Sequence, residues 1–140
     1  MTSAPHPLIP EGWIAIAPED TFSAIAGPVW FRPYTDKTPG CGFLSERRHR
    51  NLGDVVHGGA LLTPADMALF DIMFRAVGRV KAVTISLNAD FIRPAPIGRF
   101  IEATGEAMKS EGSILMARGV ISADGEALMT FSGSLKRLRE

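Results

Sequence analysis

Between Ala60 and Val77 the chain is apolar on almost every side. Leu61, Leu62, Met67, Ala68, Leu69, Phe70, Ile72, Met73 and Phe74 leave no polar face wide enough for water. A helix of that kind has to be surrounded by protein. Gly78 follows it as a C-cap glycine, and the periodicity then changes from helical to two. Val83, Ile85, Leu87, Ala89 and Phe91 alternate with Thr84, Ser86, Asn88 and Asp90, the pattern of a strand with one buried face. That alternation places Thr84 on the opposite face, toward a partner or a cleft. Residues 99–109, 113–123 and 126–137 read as three further strands, with Asp124-Gly125 as a hairpin signal. One enclosed helix and four antiparallel strands pack most economically as a curved sheet around the helix, an α+β domain.

Upstream, the proline-rich residues 1–12 read as an irregular arm. Trp13 to Ile25, broken by Pro18, reads as a short helix or two. Gly27–Tyr34 and Gly40–Arg47 read as short strands. The division expected is an N-terminal arm with a short helix over 1–26 and the main domain over 27–140.

A chain of 140 residues is one domain, able to bury roughly two-thirds of its unfolded surface. Fifteen basic and fifteen acidic residues give no net charge, so nothing favours nucleic acid or a membrane surface. Zero net charge is also a poor defence against self-association, and an oligomer is expected. A single cysteine, Cys41, cannot form an internal disulfide and fits a reducing compartment. There is neither a basic-then-apolar leader nor an apolar run near 20 residues. A cytoplasmic protein is the expectation.

The chemistry concentrates around His57-Gly58-Gly59 and Asp66. A Gly-Gly pair at a helix start exposes amide N–H groups that suit an oxygen carrying negative charge. Asp66 then lies inside the apolar segment with no cation on its stripe. Desolvation there would suit it to act as a base or nucleophile near neutral pH. A second reading makes Thr63 the N-cap and Pro64 the first residue of a helix, leaving Asp66 as an inert capping acid. In the alternative the helix starts at Gly58 or Gly59, and Pro64 costs one internal hydrogen bond. Asp71, with Arg75 four residues on, reads as a structural pair. His57 is either a catalyst or a helix-start residue steadying a loop, and Asn51 either caps a turn or aims its amide into a site. His49, Asp54 and His57 match no metal-ligand spacing. No Gly-x-Ser-x-Gly elbow or phosphate-binding glycine loop is present.

Asn51, the step to His57-Gly58-Gly59, Ala65-Asp66, Val83-Thr84 and the stretch Asp90-Phe91-Ile92-Arg93-Pro94-Ala95-Pro96-Ile97-Gly98 together resemble the hotdog-fold acyl-CoA thioesterases of the phenylacetate-degradation (PaaI-like) type. Gly12-Trp13 through Gly27-Pro28-Val29-Trp30 looks like the lead-in of some members, and the likeness spans roughly residues 27–137. The resemblance implies a long helix wrapped by an antiparallel sheet and homodimers joined sheet edge to sheet edge, or dimers of such dimers. It also implies sites between subunits. Carried over, the Gly58 N–H, with Asn51, would polarise a thioester carbonyl. Asp66 of the partner chain would act as base on water or as nucleophile, Thr84 would help hold the water, and His57 would orient the helix start. Met67, Phe70 and Met73 would line an apolar pocket, and Gly58 and Gly59 would either let the substrate carbonyl approach the bare N–H groups or serve only as a tight entry into the helix. Arg93 or the Arg47/Arg48/Arg50 cluster would meet the phosphates of coenzyme A (CoA); the other reading of such an exposed arginine run is a solvated surface. Neither a metal nor a redox cofactor is implied. Pro64 departs from the family pattern and bears on how Asp66 is placed. The rivals are a non-catalytic acyl-CoA-binding or sensor module and a hotdog hydratase or dehydratase, whose His-with-acid motifs are absent here.

Overall fold

The apolar segment folds as one 20-residue helix, and a seven-stranded antiparallel sheet packs against it. The structure, a computed structural model, describes residues 6–16 and 18–139. Of the proline-rich arm, residues 1–5 lie outside the described residues. In chain order the elements are β1 (Ile14–Ala15), α1 (Phe22–Ala26), β2 (Trp30–Phe31), β3 (Cys41–Leu44), a 3-10 turn (Arg47–His49), α2 (Gly58–Val77), β4 (Ala82–Phe91), β5 (Phe100–Lys109), β6 (Ile114–Ala123) and β7 (Glu126–Arg137). The spatial order is β1-β2-β3-β5-β6-β7-β4.

The helix and the four strands after it are as the periodicity implies. The Trp13–Ile25 segment differs: its first part pairs with β2 as a strand, and only Phe22–Ala26 is helical. A turn over Pro18–Thr21 leads into α1, its Pro18 carbonyl accepting from both the Thr21 N–H and its hydroxyl. Thr21 then caps α1 by accepting from Ala24 N–H at 3.3 Å.

Leu61, Ala65, Ala68, Leu69, Ile72 and Met73 of α2 pack into one core with Ile101, Leu115, Ile121, Met129 and Leu135 of the sheet. Each large aliphatic side chain enclosed this way contributes about 1.5–3 kcal/mol. The helix sits close because the sheet offers it a glycine. A Cβ on Gly133 would lie 2.6 Å from Leu69 Cδ1 and 2.5 Å from the Ser86 carbonyl.

β4 overturns part of the alternation reading. The β4–β7 register pairs Thr84 with Leu135 but Ser86 with Ser134, so a bulge lies between them at Ile85. A bulge inserts one residue and resets which side chains face the core. Thr84 therefore shares the helix-facing side with Leu87, Ala89 and Phe91, and Val83 does not. β4 is also an edge strand, hydrogen-bonded only to β7. Val83, Ile85 and Phe91 are 48%, 53% and 55% exposed in the single chain. A long apolar edge of this kind is a template for pairing with another chain.

Asp71 and Arg75 form the expected pair, and it is buried. Arg75 Nε donates to Asp71 Oδ1 at 2.9 Å, with both side chains at most 2% exposed. The other carboxylate oxygen accepts from Gly40 N–H at 2.9 Å. The guanidinium also donates to the carbonyls of Arg32, Pro33 and Asp36 and lies over the Tyr34 ring. One ion pair thus ties α2 to the whole β2–β3 connection. Burial pushes the Asp71 carboxyl above the ordinary carboxylate range, against the pull of Arg75.

The 3-10 turn anchors α1. Arg48 donates to the Ile25 and Gly27 carbonyls, and His49 Nε2 bonds the Ala26 carbonyl at 2.7 Å. His49 Nδ1 accepts from Glu46 N–H at 2.9 Å, so the proton sits on Nε2 and the ring is neutral. Burial, helped by the Arg48 charge, lowers the His49 pKa below its usual value. A depressed pKa contributes stability above the unfolded value, about 6.5, which is lost as pH falls through the folded value. Thermal unfolding should therefore lose more Tm between pH 7.5 and 5 in the wild type than in His49→Gln, which has no ring to protonate.

Candidate active site

At the start of α2, His57 has extended backbone angles and acts as the N-cap, its Nδ1 accepting from Gly59 N–H at 2.8 Å. Its carbonyl accepts from Ala60 N–H at 2.9 Å. The Gly58 N–H finds no acceptor among the described residues. The two glycines answer two close approaches. A Cβ on Gly59 would lie 3.0 Å from the capping His57 Nδ1, and one on Gly58 would lie 3.1 Å from Phe91 Cζ. His57 is thus a helix-start residue that uses its ring on its own backbone. Phe91, which the sequence reading assigned only to a strand face, is the residue that lies over the Gly58 backbone.

Asn51 caps a turn. Its Oδ1 accepts from Gly53 N–H at 2.6 Å and Val55 N–H at 3.4 Å. This leaves the side-chain amide N–H groups as donors.

Asp66 is not a capping acid. α2 begins at Gly58, so Pro64 lies inside the helix and Thr63 is no N-cap. Instead the Thr63 hydroxyl donates to the Gly59 carbonyl at 3.3 Å. Pro64 is buried, and its carbonyl accepts from the Cys41 thiol at 3.6 Å. Burial pushes that thiol well above its usual pKa, which suits a packing residue and not a nucleophile. Asp66 itself is half-exposed in the single chain, so the expectation of a desolvated carboxylate is not met by one protomer alone. Nor is it without a partner: the Thr84 hydroxyl donates to Asp66 Oδ1 at 2.7 Å. The bulge makes this contact, since in an unbroken alternation through Ile85 the Thr84 side chain would face away.

Within one chain Gly58 and Asp66 do not meet. Eight residues at about 1.5 Å each put them about 12 Å apart along the helix axis. No single carbonyl can touch both.

Of the expected acyl wall, Met67 and Phe70 are half-buried. Met67 Sδ accepts from the Ser23 hydroxyl of α1 at 3.6 Å, and Phe70 meets Phe74 edge-on. Met73 is a correction: at 0% exposure it belongs to the core and lines nothing open. Arg93 is held by the β6–β7 hairpin, donating to the Ala127 carbonyl at 2.8 Å and pairing with Glu126 at 3.4 Å.

Two open cavities flank the start of α2. One, of about 690 Å³, is lined by Arg47, Arg48, Arg50, Asn51 and His57. The other, of about 360 Å³, has Gly58 in its wall with Val56, Leu61, Phe91, Ile92 and Arg93. No group of three His, Cys, Asp or Glu side chains among the described residues is placed to hold a metal ion. Among the same residues no helix is long and apolar enough to cross a membrane.

Comparison with known proteins agrees with this architecture. The family model described as the thioesterase superfamily matches residues 53–130, more than half of the chain. No curated protein is similar enough in sequence to match. The fold is similar to that of the Escherichia coli PaaI protein of the phenylacetic acid degradation operon, at 20% identity and a TM-score of 0.76, over 86% of this chain and 87% of that one. It is likewise similar to zebrafish thioesterase superfamily member 2, at 21% identity and a TM-score of 0.74, over 86% and 90% of the two chains. A Streptococcus mutans UA159 protein, smu.793, solved bound to acetyl-CoA, is similar at 10% identity and a TM-score of 0.70, over 79% and 88%. The helix wrapped by an antiparallel sheet, the matching family model and these neighbours agree: the chain has the hotdog fold and belongs to the thioesterase superfamily.

Proposed function

We propose that this protein hydrolyses an acyl-CoA thioester to a carboxylic acid and free CoA, at sites each assembled from two copies of the chain. The observation that carries this reading is the half-exposed Asp66 carboxylate, gripped by the Thr84 hydroxyl about 12 Å along the helix from the free Gly58 amide. Each chain offers both halves of a site and cannot use them together. Two copies related by a twofold axis, joined along the apolar β4 edges, would bring one chain's amide to the other's carboxylate.

In that arrangement the Gly58 N–H receives the thioester carbonyl oxygen and stabilises the charge that develops on it. A comparable oxyanion donor is worth about 2.7–4 kcal/mol. The Thr84 bond occupies Asp66 Oδ1 and leaves Oδ2 for a water molecule. Asp66 takes a proton from that water as it attacks, or attacks the carbonyl itself to form an anhydride that water then opens. The C–S bond breaks, and the departing thiolate takes up the proton. The reaction consumes water alone. Met67 and Phe70 supply the apolar wall beside the acyl group, and closure of the interface dries the carboxylate that one chain leaves half-exposed.

Mixing inactive variants tests the shared site. Gly58→Pro removes the amide proton at a helix position that tolerates proline, with the Phe91 ring giving way by a few tenths of an ångström. Asp66→Asn removes the base. Each variant alone should keep no more than about one hundredth of the wild-type rate. Co-expressed as a heterodimer they restore one complete site of two, and up to half of the wild-type rate per dimer returns. No recovery in heterodimers isolated by dual tags would rule out a composite site.

A further inference from the structure

The arginines ahead of the helix have no role in the mechanism above, and they do not form a solvated run. Arg48 is spent on α1, its guanidinium donating to the Ile25 and Gly27 carbonyls. Arg50 is held by a neighbouring acid, with Nη1 3.1 Å from Asp54 Oδ1 and the two side chains 43% and 75% exposed. The Arg47 guanidinium has no hydrogen-bonded partner among the described residues. All three line the 690 Å³ cavity whose wall continues through Asn51 to His57, one residue before the amide that receives the carbonyl. Glu46 lies 3.7 Å from Arg48 as Asp54 lies 3.1 Å from Arg50, so Arg47 is the arginine of the three without an acid beside it. The smaller cavity has Gly58 in its wall and is mostly apolar, its one cation, Arg93, being paired with Glu126. The two surroundings of Gly58 therefore differ as the two arms of an acyl-CoA differ, one apolar and one polyanionic.

We propose that the Arg47–Arg50 cavity is a phosphate subsite for the nucleotide end of CoA, with Arg47 and Arg50 as its ligands and Asp54 as an internal competitor for Arg50. The inference rests on the acyl-CoA reading and adds the direction in which the substrate lies. An exposed ion pair such as Arg50–Asp54 is worth little, so an incoming phosphate displaces Asp54 readily. A guanidinium matches a phosphate in a bidentate geometry that a single carboxylate contact does not use fully.

Removing the competitor should therefore improve binding, which a merely structural ion pair would not do. Asp54 has φ +62°, a conformation asparagine also adopts readily, so Asp54→Asn keeps the turn. Titration calorimetry with CoA should show Asp54→Asn binding up to about fivefold tighter. Arg47→Ala and Arg50→Ala should each bind roughly tenfold weaker or worse, with the loss deepening at low salt. Dephospho-CoA separates the two phosphate sources: if it binds like CoA the diphosphate is held, and if it loses affinity the 3′-phosphate is held. In kinetics, the ratio of kcat/KM for an acyl-CoA to that for the matching acyl-N-acetylcysteamine, which has no phosphate, should fall about tenfold in either arginine variant. Hydrolysis of both substrates with that ratio unchanged in the arginine variants would remove the subsite and leave the thioesterase reading standing. Absence of hydrolysis, with CoA binding that still weakens in Arg47→Ala and tightens in Asp54→Asn, would remove the hydrolase reading and leave the subsite. Wild-type protein that does not bind CoA overturns the subsite.

Discussion

Asp66→Asn should lower turnover of an acyl-CoA thioester by about 10²–10⁴-fold, the usual contribution of a positioned base. Protein stability should barely move. The asparagine side chain keeps an oxygen for the Thr84 hydroxyl, which donates to Asp66 Oδ1 at 2.7 Å, and the position is half-exposed. The cost to the fold should stay within about 1 kcal/mol. The pair of readouts is decisive because the two roles open to this residue predict different pairs. A base loses rate and keeps Tm; a structural acid loses Tm and keeps rate. Steady-state kcat by thiol release, measured beside a thermal melt, separates them. A kcat within threefold of wild type would remove Asp66 from the chemistry.

The largest stability effect belongs to the other acid of the same helix. Asp71→Asn leaves Arg75 charged, 7% exposed as a residue and without its counter-ion. Breaking a buried pair from one side typically costs about 3–5 kcal/mol, so Tm should fall by roughly 10 °C or more in a chain of this size. Removing both charges, in Asp71→Leu with Arg75→Met, should recover part of that loss because no uncompensated charge remains. Full recovery is not expected. Arg75 also satisfies the Arg32, Pro33 and Asp36 carbonyls, and methionine donates to none of them. The shortfall of the double variant, read from chemical denaturation, measures what those three bonds hold in place. If Asp71→Asn unfolds within 1 kcal/mol of wild type, the pair is not what secures the β2–β3 connection.

Much of this architecture is legible in the residues because burial writes a period into them. The segment from Ala60 to Val77 has no polar face, and the alternation after it requires strands, so helix and sheet are both readable. Local signals fail where two of them conflict. Thr63-Pro64-Ala65-Asp66 has the form of a helix start, yet the helix runs through it. His57 already caps Gly59, and Pro64 is packed beside Cys41 with no donor to lose to water. Those contacts are tertiary, and spacing does not contain them. Arg75 shows the same limit: its pairing with Asp71 is an i,i+4 relation visible in the chain, whereas its three carbonyl partners lie some 40 residues away. The candidate site divides likewise. Asp66, Gly58 and Thr84 can be named from motifs, but only coordinates reveal that Phe91 covers Gly58 and that Met73 is sealed in the core.

The extra residue at Ile85 carries a genetic consequence. Because Thr84 pairs with Leu135 and Ser86 with the next residue, Ser134, residue 85 is the one position of β4 without a partner on β7, and neither its identity nor its presence sets which way the others face. Loss of that single codon would straighten the strand and keep the threonine opposite Leu135, on the same side as the carboxylate it now grips. Descendants of this chain are therefore free to repaint the edge of β4 and to shorten it by that one residue.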